Sequence, residues 1–213
     1  MIGSLDQEFK EKHFRVAIFG SARIEKDDSV FNEVYSLTRL ISEAGMDIVT
    51  GGGSGLMDAA SAGHHFGRKD KKAHSVGLRI KLPKEEFEAS HLDIKKEFNL
   101  FSNRLESFMR LSQAVVVAPG GVGTMLELFY TWQLLQVKKI TGVPIILFGD
   151  MWIDLVRWIK KWQLESKLIS PEDLDLLFIA KNYREAFEII SEAHEHFLKG
   201  KDDFSTVYGK YKP

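Results

Sequence analysis

Residues 114–127 read Ala114-Val115-Val116-Val117-Ala118-Pro119-Gly120-Gly121-Val122-Gly123-Thr124-Met125-Leu126-Glu127. Five small or β-branched apolar residues in succession suit a strand buried on both faces, as in a parallel sheet. The run empties into proline and glycine, and then into a helix. An α/β protein commonly holds a phosphate at such a junction. Glycine lets the backbone approach the anion, and the first helical N–H groups and the macrodipole face it. Glu127 falls one turn into the helix, where a negative charge repels a phosphate unless chemistry requires it. An anion cradle paired with an acid points to an enzyme acting beside a phosphate.

Strand and helix signals alternate on both sides of this stretch. Residues 14–20 form an apolar run closed by Gly20. Val30, Phe31, Val34, Leu37, Leu40, Ile41 and Ala44 then recur at helical spacing, and Gly45 ends that helix. Residues 46–50 predict a strand, followed by Gly51-Gly52-Gly53-Ser54-Gly55 and a helix of small residues (Ala59, Ala60, Ala62) suited to close packing on a sheet. Further strands are expected over 74–80, 94–98 (partly exposed), 144–148 and 176–180, and helices over 102–113, 152–164 and from Asn182 to about Leu198. Asn182 and Glu185 form a capping box. Residues 81–92 read as a polar insertion, and 199–213 as a tail without apolar period that frays. This pattern predicts an α/β fold, a mainly parallel sheet with helices on both faces, in a single domain over residues 1–198. Ligands of such sheets bind outside the carboxyl ends of the strands, so the turns at Gly20, Gly51 and Pro119 are expected on one edge.

Bulk properties exclude several classes. A chain of 213 residues supports one substantial domain. A formal net charge of −1 gives no footprint for nucleic acid or an anionic membrane. The absence of cysteine removes disulfides, thiol nucleophiles and cysteine-ligated metals. Residues 1–13 are polar, with no signal-peptide core, and no window has the length of apolar residues needed to span a bilayer. A cytoplasmic protein without nucleic-acid or membrane partners is expected.

The second glycine turn, Gly51, Gly52, Gly53 and Gly55, fits either another anion-facing turn or a tight crossover needing only backbone freedom. Neither G-x-G-x-x-G nor G-x-x-x-x-G-K-[ST] occurs, which argues against a nicotinamide enzyme and a P-loop NTPase. Two short glycine turns suit a mononucleotide. Gly20-Ser21-Ala22-Arg23 adds a hydroxyl and a guanidinium; Arg23 can grip a phosphate, stack on a base, or stand as a solvated loop charge. Thr124 can cap the helix and ligate phosphate together. Glu127 is flanked by Met125, Leu126, Leu128 and Phe129, so it is either buried with a partner or aimed into a site. Arg104, near the start of the preceding helix, reaches the same edge and pairs with Glu127 or a phosphate; otherwise it is an exposed arginine beside Glu106. His64-His65 and His194-Glu195-His196 lack H-E-x-x-H spacing and read as surface residues, so no metal is expected. Trp152, Trp158 and Trp162 read as core or interface. The helix after Gly123 has almost no polar face, and one sheet covers only one side of it; a second copy of the chain is the economical cover, which predicts a homodimer.

These residues resemble the LOG (Lonely Guy) family, long labelled "possible lysine decarboxylase", whose hallmark is P-G-G-x-G-T-x-x-E, here residues 119–127. The resemblance extends to residues 19–23, 50–57 and 77–83. It implies a Rossmann-like, usually dimeric α/β protein that acts as a nucleoside 5′-monophosphate phosphoribohydrolase. Such an enzyme releases a free base (adenine or a cytokinin) and ribose 5-phosphate without a cofactor. It also implies that Arg104 and Glu127 are the catalytic pair, and that Gly20, Ser21, Arg23, Gly51, Gly52, Gly53, Gly55, Gly120, Gly121, Val122, Gly123 and Thr124 hold the substrate and its phosphate. Three positions depart from the family pattern: Leu105 stands where a lysine is frequent, Ser54 where a proline is frequent, and Tyr130 where many members have an acid. No lysine sits in a setting for pyridoxal phosphate, so decarboxylation finds no support. The alternative is a non-catalytic nucleotide or molybdenum-cofactor carrier of similar fold.

Overall fold

Seven short strands carry the fold: β1 (Arg15–Phe19), β2 (Asp47–Thr50), β3 (Ser75–Ile80), β4 (Ile94–Phe98), β5 (Ala114–Val117), β6 (Ile145–Phe148) and β7 (Leu177–Ala180). They form one sheet in the order β4-β3-β2-β1-β5-β6-β7, and every neighbouring pair is parallel. This is a computed structural model, and it describes residues 5–68, 73–81, 88–200 and 211–213. Residues 82–87 of the expected polar insertion and 201–210 of the expected tail therefore lie outside the described residues.

The helices are α1 (Leu5–Glu8), α2 (Ser29–Glu43), α3 (Leu56–Gly67), α4 (Phe101–Leu111), α5 (Val122–Gln136), α6 (Met151–Ile159), α7 (Pro171–Leu174) and α8 (Tyr183–Leu198). Side chains alternate across a strand, so β1 feeds both layers. Val16 and Ile18 join α2, α3 and α8 in one core, while Ala17 and Phe19 join α4, α5 and α6 in the other. The central strands are buried throughout; β5 and β6 are wholly apolar, while β1 and β2 bury Arg15 and Asp47 at their amino ends and β2 buries Thr50 at its carboxyl end. β4 lies at the edge and exposes Lys95, Lys96 and Glu97, charges that discourage edge-to-edge pairing. Asp28 caps α2 by accepting from the Val30 N–H, and Asn182 caps α8 by accepting from Arg184 and Glu185. The single-domain, Rossmann-like α/β reading holds.

Four local expectations change. The small residues of α3 serve a helix as well as the sheet: a Cβ on Gly63 or Gly67 would strike the α2 backbone at Tyr35 or Arg39. The helix expected over 152–164 is α6 followed by a π-helical turn, Lys160–Leu164, which leaves Trp158 and Trp162 about half exposed while Trp152 is fully buried. His64 is a core residue, with Nε2 3.0 Å from the Met46 carbonyl, and burial holds its pKa down at about 4. Tyr211, in the expected tail, is buried against the α8 layer. No helix among the described residues is long and apolar enough to cross a membrane.

Candidate active site

Strand order reverses between β1 and β5: the chain proceeds from β1 to β2 on one side, and β5 lies on the other. Loops leaving the two strands diverge there and open a crevice at the carboxyl edge. The crevice is a cleft of about 570 Å³ lined by the turns after β1, β2 and β5 and the end of β3. Hydrogen bonds from Ser21 N–H to the Pro119 carbonyl (3.0 Å) and from Leu56 N–H to the Ser21 carbonyl (3.0 Å) tie the three turns together. The first N–H groups of α5 lack intrahelical acceptors, as in any helix, and Gly121, Val122, Gly123 and Thr124 present them to the cleft.

The floor is an ion pair. Arg104 Nη1 donates to Glu127 Oε1 at 3.2 Å, and its Nε donates to the Leu78 carbonyl at 2.7 Å. The guanidinium carbon also lies 5.1 Å from the Phe108 ring centroid. Arg104 is thus held by β3, α4 and α5, and the exposed alternative beside Glu106 does not occur: Arg104 and Glu127 are each only 9% exposed. Burial pushes the Glu127 carboxyl up from the ordinary carboxylate range to about 7, and the Arg104 charge only partly offsets this. A carboxyl of that pKa exchanges its proton near neutrality, the condition for acid–base work.

Gly51 makes the pair possible. A Cβ there would stand 2.5 Å from Arg104 Nη2 and 2.6 Å from Met57 Sδ, so only glycine lets the guanidinium lie against the second turn. Ser21 and Arg23 sit at the mouth, with Ser21 Oγ accepting from the Arg23 N–H at 3.0 Å and the Arg23 side chain exposed.

The family model described as "Possible lysine decarboxylase" matches residues 57–190. The "Cytokinin riboside 5'-monophosphate phosphoribohydrolase LOG7" of Arabidopsis thaliana is 27% identical over 197 residues, covering 90% of this chain and 87% of the relative. The chain belongs to the LOG family. A "Pyrimidine/purine nucleotide 5'-monophosphate nucleosidase" of Escherichia coli (strain K12) is 29% identical over 130 residues, covering 55% of this chain and 28% of that protein. Among solved structures, the molybdenum cofactor binding protein from Rippkaea orientalis superposes with a TM-score of 0.64 at 19% identity, covering 85% of this chain and 97% of that one, a likeness of fold.

Of the residues expected in this LOG-family site, Gly20, Ser21, Arg23, Gly51, Gly53, Gly121, Val122, Gly123 and Thr124 line the cleft with Arg104 and Glu127. Three do not, and at each of them protein atoms fill the space a side chain would take. Gly52 (φ +72) packs on Arg79, Leu92 and Gly77; Gly55 (φ +64) lies against Ser21 and Ala22; Gly120 makes room for the Thr124 side chain. Ser54, where the family often has proline, donates from Oγ to the Ala22 carbonyl at 2.9 Å and so braces the first turn. Leu105 is buried and Tyr130 packs on the second core, so neither departure lines the cleft. Arg79, Met57 and Phe101 do line it and went unassigned from the sequence. Arg79 carried a signal, as an arginine in the otherwise apolar β3, where it pairs with Glu88 at 2.9 Å.

Proposed function

We propose that the protein hydrolyses the N-glycosidic bond of AMP-like nucleoside 5′-monophosphates, adding water and releasing free base and ribose 5-phosphate. The observation that carries this is the buried Glu127–Arg104 pair set below the open amides of α5. Val122 and Glu127 are five positions apart, about 7.5 Å along the helix axis. That is the reach needed between a 5′-phosphate on the first amides and an anomeric carbon beside the carboxyl. The phosphate anchors the ribose, so remote binding energy goes into orientation. Positive charge grows on the ring as the glycosidic bond lengthens. An ionised Glu127 stabilises that charge and takes a proton from the attacking water. Arg104 holds the carboxylate in place and contacts the nucleotide. The LOG-family relatives are named for nucleoside monophosphate substrates, which supports the same class here. Two copies of the chain, meeting along α5 in the cytoplasm, complete the reading.

Incubation with AMP should release adenine and ribose 5-phosphate in equal amounts, read by chromatography, with the cytokinin riboside monophosphates named for the Arabidopsis relative and the IMP and CMP series run alongside. Retention of nucleotide with no base released from any of them would move the reading to a carrier. A carrier has no use for an acid beneath the anion, which is why hydrolysis is preferred. The ionised form of Glu127 is the working form of the free enzyme, so kcat/KM should rise through pH about 7. A profile flat from pH 5 to 9 would remove Glu127 from the chemistry.

A further inference from the structure

At the opposite edge of the sheet, where the strands begin, four metal-ligating side chains converge. Glu8 closes α1, His13 precedes β1, Asp47 opens β2 and His74 precedes β3. Each offers one ligand atom, and the four atoms lie within 4.8 Å of one another. Both carboxylates are buried and both imidazoles half-buried. The backbone fixes the arrangement: Asp47 N–H donates to the Phe14 carbonyl at 3.1 Å, and His74 N–H donates to Asp47 Oδ1 at 2.8 Å. Asp47 Oδ2 is left facing His13 Nδ1 at 3.1 Å.

One cation is already in place. Arg15 Nη2 lies 2.6 Å from Glu8 Oε2, and Arg15 Nε lies 3.5 Å from Asp47 Oδ2. One guanidinium faces two buried carboxylates, and buried carboxylates are costly without further positive partners. The imidazole of His74 stands beside Glu8. Its Nδ1 is buried and has no hydrogen-bond partner among the described residues. It faces Glu8 Oε1 at 3.8 Å, too long for a hydrogen bond. Two donors on one tetrahedral ion, with bonds of about 2.0–2.2 Å, stand about 3.3–3.6 Å apart, so this pair needs to close by only a few tenths of an ångström to act as co-ligands.

We propose that Glu8, His13, Asp47 and His74 form a Zn²⁺ site that fastens α1 to the amino ends of β1, β2 and β3. Two imidazoles with two carboxylates suit Zn²⁺, whereas Mg²⁺ and Ca²⁺ take all-oxygen sets. Four protein ligands close a tetrahedral shell, which makes the site structural. Glu11 Oε2 lies 3.6 Å from His13 Nε2, beyond hydrogen-bond length but close enough to move into place as an outer carboxylate on a ligating imidazole. The site is separated from the cleft by the length of the strands and does not depend on the hydrolase reading.

The rival source of positive charge is a proton on either imidazole, and one experiment separates the two. The full chain, stripped with chelator, is melted with and without ZnCl₂ at pH 7.5, with MgCl₂ as control, and titrated calorimetrically. The expected result is one Zn²⁺ per chain and a rise in Tm of about 5–10 °C at a hundredfold excess over Kd. Both effects should be absent in His74→Gln, whose side chain is partly exposed and so tolerant of change, and in His13→Gln/His74→Gln. X-ray absorption at the zinc edge should read two nitrogen and two oxygen neighbours. No Tm response to Zn²⁺, an undiminished response in the double variant, or stabilisation gained only by acidification would each overturn the proposal.

Discussion

At Glu127 and His64 burial acts on opposite charge types, and the two effects meet in one pH window. The Glu127 pKa is raised from its ordinary 4.5 to about 7, so the native state keeps a proton that the unfolded chain gives up. That contribution is whole below pH 4.5 and is lost as pH rises through 7. The His64 pKa is lowered from 6.5 to about 4, so its contribution is whole above pH 6.5 and is lost as pH falls through 4. Each is worth about 3 kcal/mol at full extent. Between pH 4.5 and 6.5 they oppose, and the urea midpoint of the wild type should vary little on their account. Glu127→Gln removes one of them. Its stability should climb relative to wild type as pH is raised from 4.5 to 7.5, with His64 then unopposed at the acidic end. Parallel stability profiles for the two proteins would show that Glu127 is not held protonated by burial. The same variant should lose about 10²–10⁴ in turnover of AMP while still binding the nucleotide, measured by base release and by calorimetry. Binding lost together with turnover would instead give Glu127 a part in the ground-state complex.

Elements of this fold were legible wherever an apolar run met a glycine, because strand burial and turn chemistry both leave marks in composition. β1, β2, β5 and β6 and the edge where their turns gather follow from such marks. What lay beyond reading is of two kinds. Short elements such as α1 and the π-helical turn Lys160–Leu164 have too few residues to display a period. Glycine, in turn, reports only that a Cβ does not fit, without saying whether ligand or protein fills the space. Gly51 faces Arg104 in the cleft, while Gly52, Gly55 and Gly120 face protein, and in the sequence they look alike. The histidine at 64 was misread for a similar reason: its neighbour His65 is exposed, and a pair gives no hint of which member turns inward. The distinction is testable at the turns and helices themselves. Gly51→Ala should drive the Arg104 guanidinium off Glu127, lowering kcat/KM for AMP and moving its pH midpoint above 7, with little change in Tm. An unmoved midpoint would mean that Arg104 does not tune the acid. Gly63→Ala should do the reverse, costing about 1–3 kcal/mol by forcing α3 from α2 while each folded molecule keeps its activity. Equal losses at both positions would mean that the α2–α3 contact and the cleft are not separable.

Among the described residues, exposed large apolar side chains gather in two places, at Met151, Trp158, Trp162 and Leu168 and where the helix after the glycine turn looks outward. Thr124, Glu127, Leu128, Thr131, Trp132 and Leu135 turn inward on α5, as the cleft floor and the second core require. That leaves Val122, Leu126 and Phe129 facing solvent at helical spacing, 88%, 44% and 37% exposed, with Val137 about two turns further along at the end of the helix. Phe101, which lines the cleft, and Leu100 beside it at the start of α4 are exposed as well. Water on exposed apolar surface is unfavourable, and in the proposed dimer a two-fold axis along α5 would cover this stripe with an identical one from a second copy. The stripe borders the cleft, since Val122 belongs to both, so such association would also shield the mouth from water. Light scattering behind size exclusion should therefore give twice the chain mass of 24.3 kDa. Leu126→Asp/Phe129→Asp places charges on the stripe without touching the buried pair. It should give a folded monomer with wild-type helical content and a weakened KM for AMP, because the mouth loses its cover. A wild-type protein that elutes strictly as a monomer, or a double variant that remains a dimer, would mean that this face is covered by something other than its own copy.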